Sequence, residues 1–138
     1  MKLLHATCIA IGQFGVLLRG PSGSGKSDLA LRLIDEGAIL VADDQVYLKS
    51  IDGELLASSH NKIAGKIEIR GCGIFDFPFL KAIAIKLIID LEERNNIPRL
   101  PETDSCNIFG HRLPLYRLYA FDISSPIKIR TLLNNLVK

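Results

Sequence analysis

The stretch that most constrains this chain is Gly20-Pro21-Ser22-Gly23-Ser24-Gly25-Lys26-Ser27, which satisfies the pattern G-x-x-x-x-G-K-[ST] at every fixed position. Such a run works only in particular surroundings. Glycine opens backbone conformations closed to other residues, so successive N–H groups can turn inward around an anion. A strand must deliver the chain to that concavity, and a helix must follow it so that its N-terminus adds partial positive charge. Both neighbours are legible. Phe14-Gly15-Val16-Leu17-Leu18-Arg19 predicts a buried strand. Residues 27–36 predict a helix with Leu29, Ala30, Leu33 and Ile34 on one face, and Gly37 supplies a left-handed stop. A glycine-rich turn that binds nothing is the competing reading, and the strand–loop–helix context argues against it. In a phosphate-binding loop, Lys26 supplies a point charge for the β- and γ-phosphates, and the Ser27 hydroxyl is placed to ligate Mg²⁺.

The rest of the chain predicts a mixed sheet. Residues 3–11 form a candidate strand, and Gly12-Gln13-Phe14-Gly15 a tight turn that would make it antiparallel to the strand feeding the loop. Residues 38–42 are a short apolar run ending in Asp43-Asp44, as a central strand would end. Asp52-Gly53, flanked by 46–51 and 54–57, is a two-residue hairpin signal. Residues 66–70 alternate, placing Glu68 and Arg70 on one strand face, and Gly71-Cys72-Gly73 ends that strand. Residues 83–91 form another strand. Pro98, Pro101 and Pro114 make 92–114 loop-rich with a short hairpin, ahead of a last strand over 115–121. Ser125 then reads as an N-cap with Pro126 in the first turn of a helix over 127–137, its Ile129, Leu132, Leu133 and Leu136 inward. The predicted fold class is α/β, with helices flanking the sheet and one domain over 1–138.

Composition narrows the partners. The 138 residues are 48% hydrophobic and carry a formal charge of only +2, with basic residues scattered, so nothing points to nucleic acid or a membrane surface. Cys8, Cys72 and Cys106 are odd in number and lack a C-x-x-C pairing, which suits a reducing cytoplasm better than a disulfide scaffold or zinc site. The apolar start of the chain has no A-x-A-like cleavage site, and 82–91 is too short to span a bilayer.

Phosphoryl transfer also needs an anchored metal and a way to orient the acceptor. Of Asp43 and Asp44, one carboxylate could hold the metal and the other take a proton from an acceptor hydroxyl; the alternative is a solvated acidic turn. Glu68 and Arg70 form either a ligand-facing pair beside a tight glycine turn or a plain surface ion pair. His5 alone reads as a structural histidine. Arg99, held between Pro98 and Pro101, could stiffen a charge-stabilising loop.

Together these pieces resemble the HPr kinase/phosphorylase family. The resembling segments are Leu4-His5-Ala6-Thr7, Gly15-Val16-Leu17-Leu18-Arg19-Gly20, the loop through Ser27, Val41-Ala42-Asp43-Asp44 and Ile67-Glu68-Ile69-Arg70-Gly71-Cys72-Gly73-Ile74. The similarity is close from His5 to Leu91 and looser beyond. It implies a P-loop kinase core of the kind shared with phosphoenolpyruvate carboxykinase, using ATP and Mg²⁺ to phosphorylate a serine of HPr, a phosphocarrier of the sugar phosphotransferase system. By that resemblance residues 20–27 bind ATP, with Lys26 on the phosphates. Ser27 and Glu68 are Mg²⁺ ligands, joined by Asp43 as the carboxylate beside the loop. Asp44 is the base towards the acceptor serine, His5 adjusts its protonation, and Arg99 is the catalytic arginine. The resemblance implies a chain that starts at the catalytic core, similar to the truncated alphaproteobacterial branch. Pro126-Ile127-Lys128-Ile129-Arg130 matches the basic loop tied to dephosphorylation only faintly, so the resemblance carries kinase activity further than phosphorolysis. Two other readings compete: a small-molecule kinase, which would need an acceptor pocket and a lid, and a nucleotide- or phosphate-sensing module without turnover. The assembly is left between two expectations, a monomer and a homo-oligomer pairing through exposed strands near Asp52-Gly53.

Overall fold

The computed structural model describes residues 1–137. Three strands, β2 (Ala6–Ile11), β3 (Phe14–Arg19) and β9 (Ala82–Leu91), form the centre of a nine-stranded mixed sheet. They are apolar almost without interruption because both faces are covered. Ile9, Val16, Leu18, Leu87 and Ile89 point to one face, under α1 (Lys26–Asp35) and α2 (Ser125–Leu136). Cys8, Leu17 and Ile88 point to the other, where the sheet curls over itself. That curl is built from β4 (Ile39–Ala42), β5 (Val46–Ile51) and β6 (Glu54–Ser58), together with the hairpin of β10 (Ser105–Ile108) and β11 (His111–Leu118).

Strand β3 runs parallel to β9, and β9 parallel to β11, while β2 is antiparallel to both β3 and β4. The carboxyl ends of β4, β3, β9 and β11 therefore meet at one edge, where open α/β sheets place their ligands. At that edge Arg19, the last residue of β3, pairs in register with Asp90 of β9. Its Nε and Nη2 donate to the two carboxylate oxygens at 2.7 and 3.0 Å, fixing the point where the glycine loop departs.

The β2–β3 hairpin, the helix after the loop and the Asp52-Gly53 turn form as expected; Asp52 and Gly53 both have positive φ, 51° and 80°, as that turn type needs. Four elements differ from expectation. The strand over 3–11 is two: β1 (Lys2–Leu4) pairs with β5, the chain bends at His5, and only β2 enters the buried centre. Residues 73–76, all exposed and without alternation, form β8 (Gly73–Asp76), which pairs with β7 (Lys66–Ile69) in a separate two-stranded sheet. The last strand begins at His111 rather than 115. Pro114 is accommodated because it faces Ser105, upstream of the residues that pair with β9. Finally, Ser125 does not cap α2: its hydroxyl donates to the carbonyl of Tyr119 at 2.5 Å, and Ser124 occupies the cap position.

Candidate active site

The glycine loop leaves β3 and ends in the first turn of α1. Gly23 and Gly25 adopt left-handed φ of 84° and 97°. At Gly25 space is short as well: a Cβ would lie 2.7 Å from Ala120 Cβ and 2.8 Å from the ring of Phe121. Lys26 is largely buried, and its Nζ donates to the carbonyls of Gly20 (2.7 Å) and Pro21 (3.1 Å), so the ammonium is folded across the loop. Burial lowers its pKa, against the pull of Asp44 and Asp43, which raise it. Ser24 turns its hydroxyl away from the cleft and buries it beside Gly20; its backbone N–H donates to Pro21 O.

Two neighbouring carboxylates end β4 and take different partners. The Oδ1 atom of Asp43 accepts from Ser27 Oγ at 2.7 Å and from the fully buried Thr7 Oγ1 at 3.0 Å. Burial raises the pKa of Asp43, and the hydrogen bonds from Ser27 and Thr7 work against that shift. Asp44 has a φ of 69°, which breaks the strand and turns its side chain outward to His5 Nε2. Both members of that pair are more than half exposed, at 65% for Asp44 and 55% for His5. One acid is thus tied to the helix start, and the other is left in solvent beside an imidazole.

The β7–β8 hairpin forms the opposite wall. Its base is fixed by Phe77 N–H to Gly65 O and by Leu80 N–H to Leu40 O, which ties it to β4. A Cβ at Gly65 would lie 2.6 Å from the ring of Phe79, so that corner requires glycine. Between the walls is an open cleft of about 810 Å³. It is lined by Ser22, Gly23, Gly25, Lys26 and Ser27, by His5, Asp43 and Asp44, by Glu68 and Arg70, and by Phe121. Gly20, Pro21 and Ser24 form the base of the loop behind this surface. Glu68 and Arg70 make no ion pair with each other among the described residues, which leaves both groups available to the cleft.

Arg99 is elsewhere. It is exposed on a separate groove of about 350 Å³, with Leu115, Tyr116, Ile127 and Thr131, and the structure does not bring it to the cleft of its own chain. His60 accepts from Lys62 N–H and lies 6.0 Å from the Tyr47 ring between centroids, and His111 pairs with Ser50; neither lines the cleft. The three cysteines are free, and burial raises the pKa of Cys8 far above the ordinary thiol range. Sequence reasoning gave Thr7 and Phe121 no function. A single hydroxyl in the apolar run Ala6-Thr7-Cys8-Ile9 was the available signal for Thr7; Phe121 carried none, since its place depends on where β11 pairs.

The donor set fits a triphosphate with Mg²⁺. The ion prefers hard oxygen ligands and keeps several waters, so a hydroxyl and one or two carboxylates suffice. Ser27 Oγ and Asp43 provide these together, both bonds to Asp43 converging on Oδ1. No cluster of three or more histidine, cysteine or acidic groups forms among the described residues, as a softer, fully protein-ligated metal would need.

Fold and cleft define a mixed α/β protein with a glycine-rich loop at the carboxyl edge of its sheet. The family profile for the HPr Serine kinase C-terminal domain matches residues 1–119, and the chain belongs to that family. It is 42% identical over 97 residues to the HPr kinase/phosphorylase of Clostridium tetani, covering 65% of this chain and 32% of that protein. With the HPr kinase/phosphorylase of Clostridium beijerinckii the identity is 36% over 118 residues, covering 78% and 39%. The chain therefore spans roughly a third of the length of these relatives. The solved structure of the Hpr(Ser) kinase/phosphatase from Coxiella burnetii superposes with a TM-score of 0.87 at 30% identity, covering 98% of this chain and 95% of that one. No helix among the described residues is long and apolar enough to cross a membrane.

Proposed function

We propose that this chain is a catalytic core that uses ATP and Mg²⁺ to phosphorylate a serine of an HPr-like phosphocarrier protein. The observation that carries this reading is the divergence of two adjacent acids beside one loop: Asp43 is tied to Ser27, while Asp44 faces solvent beside His5.

The loop amides and Lys26 hold the phosphates, the lysine exchanging its carbonyl partners for phosphate oxygens. Ser27, Asp43 and, across the cleft, Glu68 hold the ion, which when bound neutralises charge on the phosphates. Asp44 accepts the proton of the acceptor serine as its Oγ bonds to the γ-phosphorus; the bond from that phosphorus to the bridging oxygen breaks, and ADP leaves. His5 orients the Asp44 carboxylate through the hydrogen bond they share. The exposure of Asp44 suits an acceptor delivered on another protein, because a folded partner can reach a carboxylate at the rim.

Incubation with ATP, Mg²⁺ and the HPr of the same cell, followed by mass spectrometry, should place one phosphate on a serine. Asp44→Asn should lower transfer by about a hundredfold or more, in the range of a lost general base, while ATP still binds. Transfer that persists in Asp44→Asn removes that residue as the base. ATP binding without any transfer in the parent chain favours a sensing module instead.

A further inference from the structure

Beyond the phosphates, a nucleotide kinase needs somewhere to put the base. The sheet order across the ligand edge is β11, β9, β3, β2, β4, with the glycine loop leaving from β3 in the middle. Asp43 and Asp44 end β4, two strands to one side; Tyr119-Ala120-Phe121 follows β11, two strands to the other. At strand spacings β4 and β11 each lie roughly 10 Å from β3, and the residues after them lean in to touch the loop at Ser27 and Gly25. A nucleotide whose γ-phosphate lies among the acids can run its ribose and base away from them along the same cleft, towards the β11 side.

What stands there is an exposed aromatic. Phe121 is 51% exposed and lines the same cleft as the loop, with its ring against Gly25, the cap residue of α1. Its mounting is rigid. Arg32 of α1 donates to the carbonyls of Ala120 and Asp122, and Ser125 N–H also donates to Asp122 O. Tyr119 packs edge-on to Phe121 at 5.6 Å between centroids, and Arg94 lies 4.7 Å over the Tyr119 ring while pairing with Asp122. Fixed, solvent-facing aromatic surface is what base stacking uses, because the ordering of the ring is complete before the ligand arrives. The family match ends at residue 119, two residues short of Phe121.

We propose that Phe121 is the platform on which the nucleobase of the phosphoryl donor stacks, making this chain selective for a nucleoside triphosphate over inorganic polyphosphate. The inference rests on the proposed phosphate site, and the two are separable by experiment. The parent chain contains no tryptophan, so Phe121→Trp provides a single reporter at the platform. With Mg²⁺ present, ATP should quench or shift that emission strongly and tripolyphosphate should do so weakly. Calorimetry should show ATP binding weakened about five- to a hundredfold in Phe121→Ala and restored in Phe121→Trp, with tripolyphosphate affinity unchanged in both. An unchanged ATP affinity in Phe121→Ala overturns the proposal. Equal losses for ATP and tripolyphosphate also overturn it, since the ring then acts through Gly25 on the loop. So does a parent chain that binds tripolyphosphate as tightly as ATP. A parent chain that binds neither overturns the phosphate site itself, and the platform with it.

Discussion

Gly25 and Gly23 sit in the same loop with similar left-handed backbones, yet alanine should affect them differently. Gly23 has φ 84° and nothing within 4 Å of the place a Cβ would occupy, so Gly23→Ala costs only the conformational penalty, about 1–2 kcal/mol. Gly25, at φ 97°, carries the same penalty and a collision: Ala120 Cβ at 2.7 Å and Phe121 ring atoms at 2.8 and 3.1 Å. Ala120 is 1% exposed, and Arg32 holds its carbonyl and that of Asp122 on either side of Phe121, so the backbone must move. Overpacking of this kind adds about 1–3 kcal/mol. Gly25→Ala should therefore cost about 2–5 kcal/mol in total. With a urea slope of about 1–3 kcal/mol/M, the two variants should differ in midpoint by roughly 1 M. Urea titration of the ligand-free protein, followed by far-ultraviolet circular dichroism, measures this directly. Equal midpoints would refute the reasoning, because they would mean that the turn after β11 is not seated on the loop.

Other substitutions probe the acids and the anchor of the loop. Asp43 has its folded pKa raised by burial, so in metal-free protein its contribution to stability is fully present below the unfolded value near 3.9 and is lost as pH rises through the folded pKa. In chelator, Asp43→Asn should raise the urea midpoint at pH 7 and leave it unchanged at pH 3, while Mg²⁺-dependent ATP binding weakens; a lower midpoint at pH 7 would contradict the sign. Asp90→Asn removes charge from the bidentate pair with Arg19, whose side chains are 26% and 25% exposed, and should cost about 1.5–3 kcal/mol by urea titration. A loss below half that range would reduce the pair to an ordinary surface bridge.

Much of this cleft is legible in the sequence because its chemistry is carried by local signals. The glycine loop, its strand and its helix lie within one continuous stretch, where spacing alone sets geometry. Asp43 and Asp44 are also adjacent, but their division of labour is not local: it follows from Thr7 across the β2–β4 pairing, from His5 at the bend after β1, and from the left-handed φ of Asp44. The β7–β8 hairpin was half visible, since β7 alternates and β8 does not. Phe121 and Arg99 were the least legible. Each depends on where the chain after Glu92 is led by the β9–β11 pairing, which brings the first to the loop and carries the second to another groove. Which distant strand β11 takes as its partner is a tertiary property, and the pattern within either strand does not name it.

The central claim is that inward-facing amides of residues 20–27, beside Asp43 and Asp44, seat the phosphates of ATP with Mg²⁺. Backbone amide NMR of the labelled protein during titration with ATP and Mg²⁺ reads those N–H groups one by one. The account predicts saturable shifts largest at Gly23, Ser24, Gly25, Lys26 and Ser27, extending to Asp43 and Asp44. Saturation with those amides unmoved, or shifts centred on the groove around Arg99, would contradict it.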